Sequence, residues 1–230
     1  MADLLDLKII YEDNHLLVVN KPAGILVQGD ITGRLTLLQL AKEYIKEKYK
    51  KPGNVFLAIV HRLDRPVSGV VIFARNSKSA GRISEAFREK KIKKEYLALC
   101  KGIFREKKGV IKSYLIWDEK KKKGIVLKNR EGKEAITYYE VLEEFKNLTL
   151  VRLSPETGRK HQLRVQLSHL GHPILGDEKY GGGKLFKDKI MLHCHRMIVP
   201  HPVKREEMEF KAEIPDFWRK IYEKEFKINY

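Results

Sequence analysis

Residues 60–75, VHRLDRPVSGVVIFAR, carry the strongest structural signal in the chain. A charged cluster stands there between two apolar runs of strand length, FLAIV at residues 56–60 and GVVIFA at residues 69–74. Continuous apolar runs of this length are typical of central strands that are buried on both faces. A turn between them needs polar residues, but it does not need two arginines around one aspartate. We therefore expect Asp64 to be a buried carboxylate.

Arg62 and Arg65 flank this carboxylate in the sequence. An ionised carboxyl group beside apolar strands costs several kcal/mol in lost hydration unless it is paired. A neighbouring guanidinium offsets that cost and lowers the pKa of the carboxyl group. The result is a nucleophile or base that stays charged. A structural ion pair in a turn, with Pro66 and Gly69 as turn residues, explains the same segment equally well.

A second constellation is TGRKHQLRVQLSHLG at residues 157–171. It predicts a basic helix that opens at Thr157 and ends at Gly171. Lys160 and Arg164 lie four residues apart and would share one face of that helix. Arg164 is surrounded by apolar neighbours, so we expect it to be partly buried and to need a carboxylate; Asp64 is a candidate. The alternative is a basic surface helix.

The rest of the chain alternates strands and helices without a strict strand–helix–strand period, and many strands are joined as hairpins. This favours an α+β domain with a mixed, largely antiparallel sheet and flanking helices. We find no domain boundary and expect residues 1–230 to form one catalytic domain. The predicted strands are 7–11, 15–20, 95–100, 109–116, 124–128, 136–145, 148–155 and 190–199, and the predicted helices are 36–53, 77–92 and 216–226.

The charge of the chain points to a polyanionic partner. There are 47 Lys+Arg against 30 Asp+Glu in 230 residues, a formal net charge of +17. Each phosphate that a cationic side chain neutralises releases condensed counterions, which favours binding to nucleic acid. A lysine-rich proteome would raise the charge without any functional meaning, and that alternative stays open here.

Several classes of protein are disfavoured. Two cysteines cannot make a disulfide framework, and no apolar run approaches the ~20 residues that span a bilayer, so we expect a cytosolic protein. The histidines at 169, 172, 193 and 195 lack the spacing of a metal site. No glycine-rich nucleotide loop and no GxSxG motif is present.

HRLDRPVSGVVIFAR resembles the catalytic segment of the RluA-type pseudouridine synthases. Four more segments resemble the family in the same order, so the likeness covers residues 8–215. They are NHLLVVNKPAGILV at 14–27, KIKKEYLALCKG at 91–102, KEAITYYEVLE at 133–143 and TGRKHQLRVQLSHLGHPILGDEKYG at 157–181.

The resemblance implies the pseudouridine synthase fold with an active-site cleft, and isomerisation of uridine to pseudouridine in RNA without metal or organic cofactor. It implies that Asp64 acts on the ribose, by attack at C1′ or through a glycal, that Tyr96 contacts the flipped base, that Arg164 pairs with Asp64, and that Arg62 enters the RNA. Alone, Tyr96 on a strand would be taken for a packing residue. The remaining expected RNA-binding residues are His61, Arg65, Lys94, Arg159 and Lys160.

Ribosomal RNA is the expected substrate, with transfer RNA as the alternative, and the expected enzyme is a cytoplasmic monomer without an obligate protein partner or membrane contact. Val67, Lys160 and Gln166 depart from the family pattern and put substrate choice in doubt. We expect no S4-type RNA-binding domain before the catalytic domain, so the basic surface itself would capture RNA.

Two other classes remain possible at this stage. A catalytically silent RNA-binding or ribosome-assembly module could have the same fold, although the complete Asp64, Tyr96 and Arg164 set argues against it. A metal-dependent nuclease would have to use the histidines, and its activity would be lost on chelation.

The charge predicts that RNA binding weakens steeply as salt rises, because the release of condensed counterions gains less entropy in a more concentrated solution. Filter binding of an RNA transcript over a series of salt concentrations measures the slope of log Kd against log salt. A flat response would mean that the +17 charge is incidental to RNA binding.

Overall fold

The computed structural model describes residues 7–29, 33–204, 206–219 and 221. They fall into two compact units, Met1–Lys93 with Cys194–Glu213 and Lys94–His193 with Ile214–Tyr230. The elements, in chain order, are β1 (Ile9–Glu12), β2 (Leu16–Lys21), α1 (Leu37–Lys48), β3 (Ala58–Ile59), β4 (Ser68–Ala74), α2 (Ser77–Arg88), β5 (Lys93–Lys101), β6 (Lys108–Asp118), β7 (Lys123–Leu127), β8 (Lys133–Phe145), β9 (Leu148–Pro155), α3 (Gln162–His169), a 3₁₀ turn (Glu178–Tyr180), β10 (Leu192–Pro200) and β11 (Glu207–Lys211).

The first unit is organised around β4, whose seven residues are all buried. Its strand order is β1-β2-β4-β10, with β11 on β10 and β3 on β4. β2 runs antiparallel to β4 and pairs with its residues Gly69 to Ala74. The apolar run GVVIFA therefore forms a central strand, as predicted, because each residue on both faces is removed from water.

Local signals begin the two helices of this unit. Thr36 caps α1, as predicted, and its hydroxyl accepts from the backbone of Gln39 while the Gln39 side chain accepts from Thr36. Asn76 caps α2 in the same way through the backbone N–H of Ser79. Such caps satisfy N–H groups that have no partner within the helix.

The prediction that FLAIV is a second buried central strand is wrong. Only Ala58 and Ile59 are in strand, and they pair with the last two residues of β4. Phe56 is 54% exposed. A run of apolar letters cannot distinguish a central strand from a short edge segment, because the difference lies in which neighbours are available for pairing.

The second unit contains an antiparallel sheet in the order β5-β9-β8-β6-β7. The predicted hairpins β6–β7 and β8–β9 are both present. A cluster of four buried residues joins this sheet to α3 and the 3₁₀ turn: Leu115, Ala135, Val165 and Tyr180. This cluster is therefore part of the core of the second unit.

The start of α3, the strand β11 and the closing helix complete the comparison of predicted and observed elements. The helix of the 157–171 segment begins at Gln162 rather than Thr157, because His161 has a left-handed backbone with φ of 56°. β11 was not predicted. The closing helix is present at residues 216–219 and 221, and the rest of its predicted span lies outside the described residues.

The strand pairings described in the two units are antiparallel, and an isolated Leu26–Thr36 bridge is parallel. The α+β class with a largely antiparallel sheet is therefore confirmed. That residues 1–230 act as one catalytic domain stays a prediction. In the described part of the chain, every helix is too short or too polar to cross a bilayer.

Gly69 sets the close approach of β4 to β10. Its φ is +118°, and a Cβ atom there would lie 2.2 Å from the carbonyl oxygen of Cys194. Only glycine has no side chain to clash at this point.

We predict that Gly69→Ala lowers the free energy of unfolding by about 3–5 kcal/mol, the sum of backbone strain and overpacking. Gly81→Ala in α2 is the control, because a Cβ there has no atom within 4 Å, and it should gain up to about 1 kcal/mol. Urea unfolding followed by circular dichroism measures both. Equal stability of the two variants would contradict the packing described here.

Candidate active site

The Asp64 turn connects β3 to β4 in the first unit, and two backbone contacts hold it. The N–H of Val67 donates to the carbonyl of Asp64 at 3.1 Å, and the N–H of Gly24 donates to the carbonyl of Arg65 at 2.8 Å. Asp64 itself is half-buried rather than buried as predicted, because a turn lies at the surface, where its backbone stays accessible. The carboxylate is thus fixed by its backbone and still reachable.

Lys21 is the residue that sequence reasoning missed. It lies at the end of β2 opposite Gly69, and its exposed fraction is 0%. Its Nζ donates to the carbonyl of Pro22 at 2.9 Å and to the carbonyl of Arg65 at 3.1 Å. A buried ammonium group therefore ties the end of β2 to the residue that follows Asp64.

The pKa of Lys21 is lowered to about 7. Burial is the main cause, since it disfavours the charged form, and the Asp64 carboxylate opposes part of the shift. We expected an arginine to be the charged neighbour of Asp64, and the first unit supplies a lysine as well. The signal in the sequence was a lysine that ends an apolar strand and precedes a proline.

His61 and Arg62, which precede Asp64 in the HRLD segment, have different environments. The backbone N–H of Ile72 donates to His61 Nε2 at 3.0 Å, and the His61 ring packs against Phe87 with centroids 5.2 Å apart. His61 therefore anchors the segment to β4 and α2. Arg62 is exposed, and none of the hydrogen bonds and ion pairs of the described residues involves it. Arg62 is thus available to a partner molecule.

Tyr96 lies on β5 of the second unit, opposite Leu153 of β9. Tyr96 is half-buried, whereas Leu97 to Cys100 on the same strand are buried. Lys94, two residues earlier, is half-buried as well. The strand therefore fixes the backbone of the tyrosine, and the residue stays partly accessible.

Arg164 is buried in α3, with a side chain only 6% exposed. Its Nε and Nη2 donate to the two carboxylate oxygens of Asp177, at 2.7 Å and 2.9 Å. The predicted burial and the predicted need for a carboxylate are both present, and Asp177 is a partner that the sequence did not reveal. The pairing of Arg164 with Asp64 stays a prediction. A bidentate contact fixes the plane of the guanidinium group.

Helix α3 is a buried polar helix rather than a basic surface helix, since its residues 162–167 are all buried. Gln166 accepts from the Thr137 hydroxyl at 2.7 Å and donates to the carbonyls of Ile111 and Ala135 at 3.1 Å and 3.0 Å. Buried amides need such partners, because an unsatisfied one costs ~1–3 kcal/mol. This departure from the family pattern is therefore part of the core.

Lys160 lies before α3 and does not share a helical face with Arg164, contrary to the prediction. Its ammonium group is 3.5 Å from the centroid of the Trp117 ring, a cation–π contact. Arg159 donates through Nε to the carbonyl of Glu134 at 2.9 Å. Both residues are exposed, so the predicted RNA contacts remain possible for them.

Among the described residues, His, Cys, Asp and Glu side chains form no group of three or more that could hold a metal ion. The four histidines considered above are therefore not gathered into such a group within these ranges. Whether the reaction needs a metal ion is a separate question, and the expected absence of a cofactor stays a prediction.

Comparison with known proteins identifies the chain. A family model described as RNA pseudouridylate synthase matches residues 15–169. The chain belongs to the RNA pseudouridylate synthase family. The matched range includes Asp64, Tyr96 and Arg164. The predicted family and its reaction class, the isomerisation of uridine in RNA, are confirmed.

The names of two relatives give different RNA substrates, ribosomal RNA and transfer RNA. Ribosomal large subunit pseudouridine synthase C of Buchnera aphidicola subsp. Acyrthosiphon pisum (strain APS) is 38% identical over 214 residues, which are 89% of this chain and 66% of that protein. The chain thus spans about two thirds of the length of that relative. tRNA pseudouridine synthase C of Vibrio parahaemolyticus serotype O3:K6 is 33% identical over 238 residues, 95% of this chain and 94% of that protein.

Among solved structures, Human RNA Pseudouridylate Synthase Domain Containing 4 is similar to this chain with a TM-score of 0.79 and 27% sequence identity. The alignment covers 94% of this chain and 91% of that one. The predicted pseudouridine synthase fold is therefore confirmed.

We predict that Lys21 makes the stability of this synthase depend on pH. The unfolded state, in which the lysine has its ordinary pKa of 10.5, binds more protons than the folded state between about pH 7 and pH 10.5. The contribution of Lys21 to the free energy of unfolding therefore rises with pH in that window, by about 1.4 kcal/mol per pH unit.

The measurement is urea unfolding of the wild type and Lys21→Met at pH 7, 8 and 9, compared as a difference so that other groups cancel. The free energy of unfolding of the wild type minus that of Lys21→Met should increase as the pH rises. Lys112→Met, which removes an exposed lysine, is the control and should show a constant difference. A constant difference for Lys21→Met would mean that burial does not lower the pKa of Lys21.

Proposed function

We propose that this chain converts specific uridines to pseudouridine in ribosomal RNA, with Asp64 acting on the ribose of the target nucleotide. The observation that carries the proposal is the family match over residues 15–169, within which Asp64 sits on a turn held by Lys21 and Gly24. A catalytic carboxylate needs this combination of a fixed backbone and an accessible side chain.

Physical requirements of the reaction agree with the proposal. A stacked base must leave its stack before its glycosidic bond can be cleaved, which costs a few kcal/mol. Phosphate contacts from a chain of net charge +17 offset this cost, and the exposed guanidinium of Arg62 is available beside the carboxylate. The isomerisation is redox-neutral and needs no external group.

The proposal extends to the other predicted residues. Tyr96, which is only partly buried, contacts the extruded base, and Arg164, which Asp177 orients, completes the catalytic set. The RNA-binding residues are Lys94 and Arg65 together with Arg62, His61, Arg159 and Lys160. The enzyme works as one catalytic domain in the cytoplasm, as a monomer without an obligate protein partner.

Transfer RNA is the second candidate substrate. A specific observation favours it: tRNA pseudouridine synthase C of Vibrio parahaemolyticus is 33% identical to this chain over 238 residues. Pseudouridine mapping in ribosomal and transfer RNA from cells with and without this chain decides between them, because the modified position disappears from only the true substrate.

The variants Asp64→Asn and Asp64→Ala test whether the Asp64 carboxylate acts in catalysis. We expect tritium release from RNA that contains 5-tritiated uridine to fall by at least about 10³-fold, because the carboxylate carries out the chemistry. The Kd for the same RNA should stay within about threefold, since cationic side chains provide the binding. Asp216→Asn, at an exposed position, should retain wild-type turnover.

Two outcomes would contradict the proposal. Turnover near that of the wild type in either Asp64 variant would remove this carboxylate from the mechanism. Tight RNA binding by the wild type without any tritium release would favour a catalytically silent RNA-binding module.

A further inference from the structure

An open cavity of about 450 Å³ lies in the first unit, beside the HRLD segment. Four aliphatic side chains line it: Leu38 of α1, and Leu57, Ile59 and Val60 of the segment that leads to the turn. Its volume is in the range of small-molecule sites, ~300–1,000 Å³. It is therefore large enough for a planar organic group and larger than an ion requires.

Polar side chains line this cavity beside the aliphatic ones. Gln28 and Arg62 line it and are both exposed. In the hydrogen bonds and ion pairs of the described residues, neither side chain takes part. His61 also lines the cavity, but its Nε2 accepts from the backbone of Ile72. The amide and the guanidinium group can therefore hydrogen-bond a ligand without first losing an internal partner.

A nucleobase matches this combination of an aliphatic wall and free polar groups. Its ring faces are apolar, its edges hydrogen-bond to amides, and its phosphate pairs with arginine. A compact anion would leave the aliphatic wall unused, and a purely apolar ligand would leave the amide and guanidinium groups without partners. The positive net charge of the chain adds attraction for a phosphodiester.

We propose that this cavity binds one unpaired nucleobase of the substrate RNA, adjacent to the uridine that is modified, while Arg62 contacts the phosphate beside it. The inference rests on the proposed function, because it assumes an RNA substrate. Arg62 and Asp64 are two residues apart, at most about 7 Å between their Cα atoms. Arg62 also lines the cavity, so the short chain separation from Asp64 lets the cavity take a nucleotide next to the one that the carboxylate contacts.

Phosphate contacts do not distinguish one RNA sequence from another. A cavity that binds a base therefore adds sequence selectivity. The base that enters must already be unpaired, since only single-stranded bases can be splayed out and read at their edges. The preferred substrate is therefore a loop or bulge with at least one unpaired nucleotide beside the target uridine.

The test compares two probes of equal backbone charge, a ten-nucleotide oligouridylate and an abasic ten-mer. Gln28→Trp places an indole ring at the mouth of the cavity, and Asn129→Trp, at an exposed position of the second unit, is the matched control. Gln28→Trp should weaken oligouridylate binding about 5- to 10-fold and leave binding of the abasic probe unchanged. Asn129→Trp should change neither.

Gln28→Ala gives a second variant that leaves the cavity open and removes only the amide. It should weaken oligouridylate binding about 2- to 4-fold, again without an effect on the abasic probe. Thermal unfolding midpoints within about 2 °C of the wild type show that the variants are folded. The proposal is overturned if both Gln28 variants keep the wild-type ratio of the two affinities, or lose affinity for both probes equally.

Tritium release separates this inference from the proposed function. If the wild type releases tritium from ribosomal RNA and Gln28→Trp has an unchanged KM, the cavity proposal fails alone. If the wild type modifies no RNA but the probe affinities change as expected, the proposed function fails and the cavity still binds a nucleobase.

Discussion

The buried amino group of Lys21 is the constraint on which the rest of the first unit depends. Lys21 is removed from water at the end of β2, where an unpaired charge would be costly. Two backbone carbonyls accept hydrogen bonds from it, and one of them belongs to Arg65, directly after Asp64. The chain cannot move that turn away without leaving a buried amino group unsatisfied. The position of Asp64 is thereby tied to the stability of the unit.

The second unit uses the same physical rule with different groups. Helix α3 is buried along most of its length and still contains glutamine and arginine. Gln166 joins three strand positions, and Arg164 makes a bidentate pair with Asp177. Because buried polar groups are expensive when unpaired, these networks specify one position of the helix on its sheet. They orient the arginine that the proposed mechanism uses.

The buried and the exposed polar residues have different environments, and the proposed function uses them differently. Lys21, Gln166 and Arg164 are buried and paired, so they define geometry. Arg62 is exposed and has no internal partner among the described residues, so it can pair with phosphate. This separation explains how an enzyme with a strongly basic surface keeps a well-defined carboxylate: screening and competition by solvent affect surface charges far more than buried groups.

The sequence by itself determined most of the fold and the family. Buried strands such as β4, the Thr36 cap and the two hairpins were predicted because their signals are local, set by apolar runs and capping residues. Five ordered segments identified the reaction class and pointed to Asp64, Tyr96 and Arg164. Errors arose where a local pattern is ambiguous: FLAIV is equally apolar in a central strand and an edge segment, and the helix start was misplaced where His161 turns left-handed.

Only the tertiary structure decided which polar groups meet. Lys21 bonds the carbonyl of a residue 44 positions away, and Thr137 and Gln166 are 29 positions apart. No periodicity encodes such contacts, because they depend on how strands pair and on which side chains lose water together. The same holds for the cavity beside Arg62, whose wall comes from α1 and from the segment before the turn. The cavity, with its aliphatic wall and polar lining, forms only when those two parts of the chain pack against each other.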